Sequence, residues 1–227
     1  DNIIDGNSFN ASTDDDILIG AADCDNTVIL DNQHNGTGGS ELADSGTGTS
    51  TVDITFKEYV SIPIEWALDG TTPPDAAQVL TSTHKIVIRQ FQGATANQDV
   101  LVPWSAPHDL TGGTIKFRVR GYVSHGTAPA TGETIIFTLD GSSVGDSEFL
   151  SKALSGAAVS VTLTADASYV QYDRWSTPWS TALTVTDLAA DEDVMFQLIR
   201  DQGTDTYAQK IGAAWLDIEH SRNITND

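Results

Sequence analysis

Residues 114–123 read TIKFRVRGYV, and the fold follows from how this stretch alternates. Ile115, Phe117 and Val119 fall on one side, and Lys116, Arg118 and Arg120 on the other. A period of two with one apolar and one charged side describes a strand that covers a core with one face and meets water with the other. The pattern recurs in both directions. ETIIFTLDG (133–141) sets Ile135, Phe137 and Leu139 together, and AVSVTLTA (158–165) alternates Val159, Val161 and Leu163 with Ser160, Thr162 and Thr164. DVMFQLIR (193–200) groups Phe196 with Leu198, and AAWLDIEH (213–220) sets Leu216 and Ile218 opposite Trp215, Asp217 and Glu219. TVDITF (51–56) puts Val52, Ile54 and Phe56 on one face. SIPIEWAL (61–68), HKIVIRQF (84–91), DVLVPW (99–104), YVQYDRW (169–175) and TALTVT (181–186) are further strand candidates.

Roughly ten short strands divided by turn-rich loops predict an all-β, antiparallel jelly-roll β-sandwich. The wide strand spacing and the lack of a Cys–Trp–Cys pattern disfavour an immunoglobulin domain. DSEFLSKAL (146–154) is the one helix candidate, with Asp146 or Ser147 as its N-cap. No repeat of 20 to 50 residues stands out.

Composition changes near residue 50. Residues 1–50 hold ten acidic groups and no Lys or Arg, and the first base is Lys57. DNQHNGTGGSELADSGTGTST (31–51) is too poor in apolar side chains to offset its own ordering entropy. Residues 1–50 therefore read as an extended acidic N-terminal arm, and 51–227 as the jelly-roll domain. DILIG (16–20) and NTVILD (26–31) are β-prone patches in the arm. They suit a hairpin or strands added to a partner, which makes Ile17, Ile19, Val28 and Ile29 candidate contact residues.

The 227 residues carry 32 acids against 11 bases, a formal charge of −21. Such a surface repels phosphate backbones, so nucleic acid is not an expected partner. No stretch reaches the roughly 20 apolar residues of a membrane-spanning helix. The opening residues have no basic and apolar leader pattern, so no secretory signal is expected there. With one cysteine, Cys24, an intrachain disulfide is excluded.

Each chemically suggestive motif has a structural counterpart. GSSVG (141–145) fits the nucleophile-elbow pattern around Ser143, but that elbow needs a strand-to-helix turn in a parallel α/β sheet, so a turn is the expected reading. His34, His84, His108, His125 and His220 are scattered without ligand spacing, and no metal is expected. The acid runs DDD (14–16), DCD (23–25) and DED (191–193) lack the spacing of a calcium loop. NAS (10–12), NGT (35–37) and NIT (223–225) fit the glycosylation pattern by chance. Trp175 and Trp179, near Tyr169 and Tyr172, form the densest aromatic stretch and suit a core, a subunit interface or a sugar-stacking platform. Trp66, Trp104 and Trp215 are read as core or interface. Lys116, Arg118 and Arg120 are either a face balanced by cross-strand acids or a stripe that answers acids of a neighbouring subunit or capsid. RDQGTDTYAQKIG (200–212) reads as a structural hairpin loop closed by an Arg–Asp contact.

The order DVLVPWSAPHDLTGGTIKFRVRGYVS, GETIIFTLDG, then DEDVMFQLIRDQGTDTYAQKIGAAWLDIEH resembles a jelly-roll module of virion proteins in tailed bacteriophages. The likeness covers about residues 85–220. It lies in a P-x-D-x-x-x-G turn, here Pro107, Asp109 and Gly113, and in an R-D-x-x-x-D-T loop before the last strand. The resemblance implies a non-enzymatic structural protein without cofactor: a capsid cement or decoration protein, a head fibre or a tail-fibre head, often trimeric. Its partners would be the major capsid protein and further copies of itself on the virion exterior. The alternative expectation is a fibre, receptor-binding or carbohydrate-binding sandwich that stacks glycans on Trp175 and Trp179. A hydrolase using Ser143 is a third.

Overall fold

The computed structural model describes the backbone of seven short strands between residues 2 and 51, and of residues 55–223 apart from 80–84, 94–96, 150–151, 155 and 167. Side chains are described from Lys57 to Arg222, outside those gaps and residues 76–79. The chain divides into two compact units, residues 1–56 with 223–227, and residues 57–222.

The first unit contains β1 (Asn2–Asp5), β2 (Ser8–Phe9), β3 (Ile17–Ile19), β4 (Thr27–Leu30), β5 (Gln33–His34), β6 (Leu42–Asp44) and β7 (Ser50–Thr51). Their pairings are all parallel: β1 with β4, β4 with β7, β2 with β5 and β3 with β6. Asn2 faces Thr27, Ser8 faces Gln33 and Ile17 faces Leu42, each 25 residues further along the chain. A two-strand hairpin is antiparallel, so the hairpin expected around Ile17, Ile19, Val28 and Ile29 is not what these residues form. They stand in strands that pair in parallel with other strands of the same segment, and their side chains lie outside the described residues. The pairings of β1, β2 and β3 step by 25 residues and that of β4 with β7 by 22, and few side chains recur at those spacings.

The second unit is built from β8 (Thr55–Pro63), a 3-10 turn (Ile64–Trp66), β9 (Leu68–Asp69), β10 (Asp75–Val79), β11 (Val87–Phe91), β12 (Gln98–Ser105), β13 (Leu110–Tyr122), β14 (Thr134–Val144), β15 (Val159–Thr164), β16 (Arg174–Ser176), β17 (Leu183–Thr184), β18 (Asp193–Arg200) and β19 (Ile211–Asn223). One sheet runs β10-β11-β19-β13-β16, with β17 also on β13 and β8 on β19. The other runs β15-β14-β18-β12-β9. From β11 to β19 the pairing is nested. The outermost strands, β11 and β19, pair in one sheet, and β12 and β18 pair in the other. Then β13 takes β16 and β17, and β14 takes β15. A long hairpin rolled over itself gives this order. The fold is a jelly roll.

The core lies between the sheets. Phe117, Val119, Leu216 and Ile218 project from one side, and Val100, Val102, Phe137, Leu139, Phe196 and Leu198 from the other, all fully buried. Phe137 meets Phe91 edge-on at 5.5 Å and stacks on Trp175 at 5.7 Å. The register of β13 against β19 breaks between Thr111 and Lys116, where Gly112 takes φ +79°. Along its other edge β13 pairs β17 there, with Thr114 opposite Thr184.

Among the described residues of 146–154 there is no helix. Asp146 and Ser147 form a turn closed by Glu148 N–H on Gly145 O at 3.2 Å. Ser147 has φ +66°, which an α-helix does not accommodate. The Glu148 carboxylate turns back to accept the Gly145 N–H at 3.0 Å and the Lys152 ammonium at 2.8 Å. Local propensity favours a helix, but the chain turns at Ser147, and Glu148 keeps its i,i+4 partner Lys152 without one.

Candidate functional site

The outward face of the β8–β19–β13 part of the sandwich gathers most of the charged residues that the alternation pointed to. The register sets Lys116 opposite Glu219, Arg118 opposite Asp217 and Arg120 opposite Trp215. Asp217 is the hub. Its carboxylate accepts Arg118 Nε at 2.8 Å, an Arg120 terminal nitrogen at 2.6 Å and the Ser61 hydroxyl at 2.7 Å, with only 2% of the residue exposed. Burial alone would raise its pKa, but the hydrogen bonds from Arg120, Ser61 and Arg118 outweigh burial and hold the carboxyl below its ordinary value. One step along, Glu219 accepts Lys57 Nζ at 2.9 Å, with Lys116 Nζ at 3.9 Å. It too is held low against its burial, chiefly by Lys57, while Lys57 is raised by the same bond. The stripe is therefore balanced first by acids of its own sheet.

Aromatic rings flank the hub on both sides. The Arg118 guanidinium lies 4.6 Å from the Trp179 ring centroid, and Arg120 lies 5.1 Å from that of Trp215. Tyr59 meets Trp179 at 5.4 Å, and Tyr122 meets Trp215 at 6.0 Å. Trp179 is set in place by its neighbour: Ser180 N–H donates to Phe117 O at 2.8 Å and the Ser180 hydroxyl accepts the Phe117 N–H at 2.9 Å. Each guanidinium is thus fixed by a carboxylate and an indole together. The result is a stiff face of Trp, Tyr and Arg, the residue types that carry most binding energy at protein interfaces.

Trp175 does not belong to this face. It is 1% exposed and packs into the core, so its place as a contact residue or stacking platform is corrected. Four residues separate it from Trp179, but the chain passes from strand to loop between them, and the two indoles end on different sides of the sheet. Tyr169 packs against the core, and its hydroxyl pKa is raised by burial.

The other candidates resolve into structural roles. Ser143 is fully buried, and its hydroxyl donates to Thr186 O and Asp187 O at 3.0 and 2.6 Å, so it is a strand tie rather than an elbow nucleophile. In the DED run, Asp191 contacts His108 at 2.7 Å, Glu192 accepts the Ala189 N–H and Asp193 accepts Ser105. DDD and DCD lie outside the described residues, as does His84; for His34 only the backbone is described. His125 accepts the Thr127 N–H, and His220 is buried against Trp104 at 5.5 Å. Among the described residues no group of His, Cys, Asp and Glu converges on a metal position. In the 200–212 loop Arg200 is fully buried and tied to Asp205, the Arg–Asp closure expected there.

One surface went unread in the sequence. A groove of about 820 Å³ lies on the outside of the five-stranded sheet, floored by Leu101, Pro103 and Met195 and bordered by Val144, Lys152 and Leu154. The signal was present: V-L-V-P-W and V-M-F-Q-L-I are apolar on both faces of their strands.

No family model and no curated protein matches the chain. Among solved structures it is similar to Arthrobacter globiformis T6 isomalto-dextranase complexed with panose, with 16% identity, 70% of this chain and 23% of that chain covered, and a TM-score of 0.40. That enzyme is thus matched over less than a quarter of its length. The CBM36-1 domain of a multidomain xylanase from the hindgut metagenome of Trinervitermes trinervoides is 11% identical, with 71% and 96% covered and a TM-score of 0.34. Eiger TNF from S. frugiperda is 11% identical, with 74% and 96% covered and a TM-score of 0.26.

Proposed function

We propose that the chain is a non-catalytic attachment module of a virus particle, of the capsid cement or decoration type. It acts by covering the Trp–Tyr–Arg face around Asp217 with a protein partner in the shell. The observation that carries this reading is the state of that face. Its guanidinium groups are already desolvated in part, fixed by Asp217 and backed by indoles, so a partner meets a surface with little conformational freedom left to lose. Many identical contacts on a shell then add through multivalency. Antibody–gold labelling of intact particles tests the proposal. Label over the head shell is expected, with loss of head binding by a Tyr59→Ala/Trp179→Ala protein. Unlabelled particles overturn it.

A second reading is recognition of a cell-surface glycan. It is motivated by Tyr59, 58% exposed beside Trp179, and by Trp66, 67% exposed. It predicts label on tail or fibre instead of head, and quenching of tryptophan fluorescence by at least one member of a broad glycan panel. Silence across the panel counts against it.

A further inference from the structure

A strand at the edge of a sheet carries N–H and C=O groups that a further strand can take up, and proteins usually block such edges. Here the described edges differ sharply. β9 has two residues, and β16 has three and carries Arg174. β10 is bulged between Asp75 and Gln78, with Asp75 paired to Lys210 at 2.6 Å. β8 carries Lys57 and Glu58 and ends on Pro63. β15 has none of these devices. Its six residues, V-S-V-T-L-T, hold no charge and no proline, and their register with β14 runs unbroken from Leu139–Val159 to Thr134–Thr164.

Its free groups point away from β14. Ala165, the next residue, donates its N–H to Glu133 O at 2.8 Å and accepts the Gly132 N–H at 2.9 Å, so both of its groups face the β14 side. Alternation then turns Leu163 and Val161 the same way and leaves the N–H and C=O of Ser160, Thr162 and Thr164 pointing outward from the edge. The side chains of those three residues are also exposed, whereas Val161 and Leu163 are buried.

We infer that β15 is an association edge for a second copy of the chain, two β15 strands pairing antiparallel about a two-fold axis. The sequence matches itself in that arrangement. With Thr162 opposite its own equivalent, Ser160 faces Thr164 and Val161 faces Leu163. Hydroxyls thus meet hydroxyls on the outer face, and apolar groups meet apolar groups on the inner one. All three outward residues fall in reciprocally bonded pairs. No charge faces a like charge, which matters for copies at −21 that repel each other elsewhere. This contact goes beyond the proposed attachment role and does not depend on it, because the Asp217 face belongs to the other sheet.

Sedimentation equilibrium and amide hydrogen exchange on the full chain, under reducing conditions that keep Cys24 from bridging copies, test the inference. The expected mass is twice the 24.1 kDa of one chain, with the amides of Ser160, Thr162 and Thr164 exchanging as slowly as those of Val161 and Leu163. A Thr162→Lys protein should be monomeric, with exchange accelerated by about a hundredfold or more at those three amides while Val161 and Leu163 stay protected, which reports an intact fold. A monomeric parent chain overturns the inference. So does fast exchange at the three outward amides in a parent dimer, whatever the substituted protein does.

Discussion

Arg200 and Asp205 are joined inside the sandwich, Nε to carboxylate at 2.7 Å, with 0% and 1% of their side chains exposed. The guanidinium also donates to Phe91 O at 3.0 Å, to Gln209 O at 2.8 Å and to Tyr207 O. One side chain thereby ties the end of β11 to the loop that leads into β19. Burial works against both charges, lowering the pKa of Arg200 and raising that of Asp205. Arg200→Met should cost about 3–5 kcal/mol, since it strands a buried carboxylate and leaves three backbone carbonyls without their donor. The midpoint of urea unfolding checks this.

Asp217→Ala should cost about 2–3 kcal/mol, less than the Arg200 change because Arg118, 34% exposed, can turn to water. Its depressed pKa has a pH consequence. The hub contributes fully above the ordinary carboxylate value and is lost as pH falls through its lower folded value. Thermal unfolding of the parent should therefore weaken below about pH 4, and the substituted protein should show a smaller part of that loss.

His220 should make stability fall at milder acidity. Burial lowers its pKa from 6.5, and both ring nitrogens lack a hydrogen-bond partner, with Glu58 at 3.7 Å and Arg222 and Asp109 near it. The unfolded chain takes up a proton near pH 6.5 and the folded one does not, so stability declines as pH drops through that value toward the folded pKa. Urea unfolding between pH 7.5 and 5.5 should show this slope. His220→Phe should flatten it.

Gly121→Ala should be among the most damaging small changes. An added Cβ would lie 1.9 Å from Gly212 O and 2.6 Å from the Trp175 ring. Neither the β19 backbone nor a core indole can step aside cheaply, so a loss of about 1–3 kcal/mol is expected, with an altered near-ultraviolet signal from Trp175.

The sandwich was legible because alternation survives in nearly every long strand, and β13 alone shows its inner and outer sets. The partners of its cations were not legible. Arg118 and Asp217 lie 99 residues apart, and only the nested pairing brings them level. Trp175 and Trp179 have the same composition around them, and it took the turn after β16 to separate core from surface. The 146–154 segment misled because its residues suit a helix in isolation, while Ser147 at φ +66° serves a turn. The parallel steps of the first unit need backbone register, which acidic residues with few apolar markers do not announce.

The pairing of β8 with β19 brings the two ends of the sandwich together. Lys57 grips Glu219 at 2.9 Å, and Glu58 grips Arg222, so the entering and leaving segments are stapled within a few residues of where they meet the fold. Unfolding can therefore begin at that clasp, whose ion pairs are partly exposed, without first disturbing the rolled sheets beneath it.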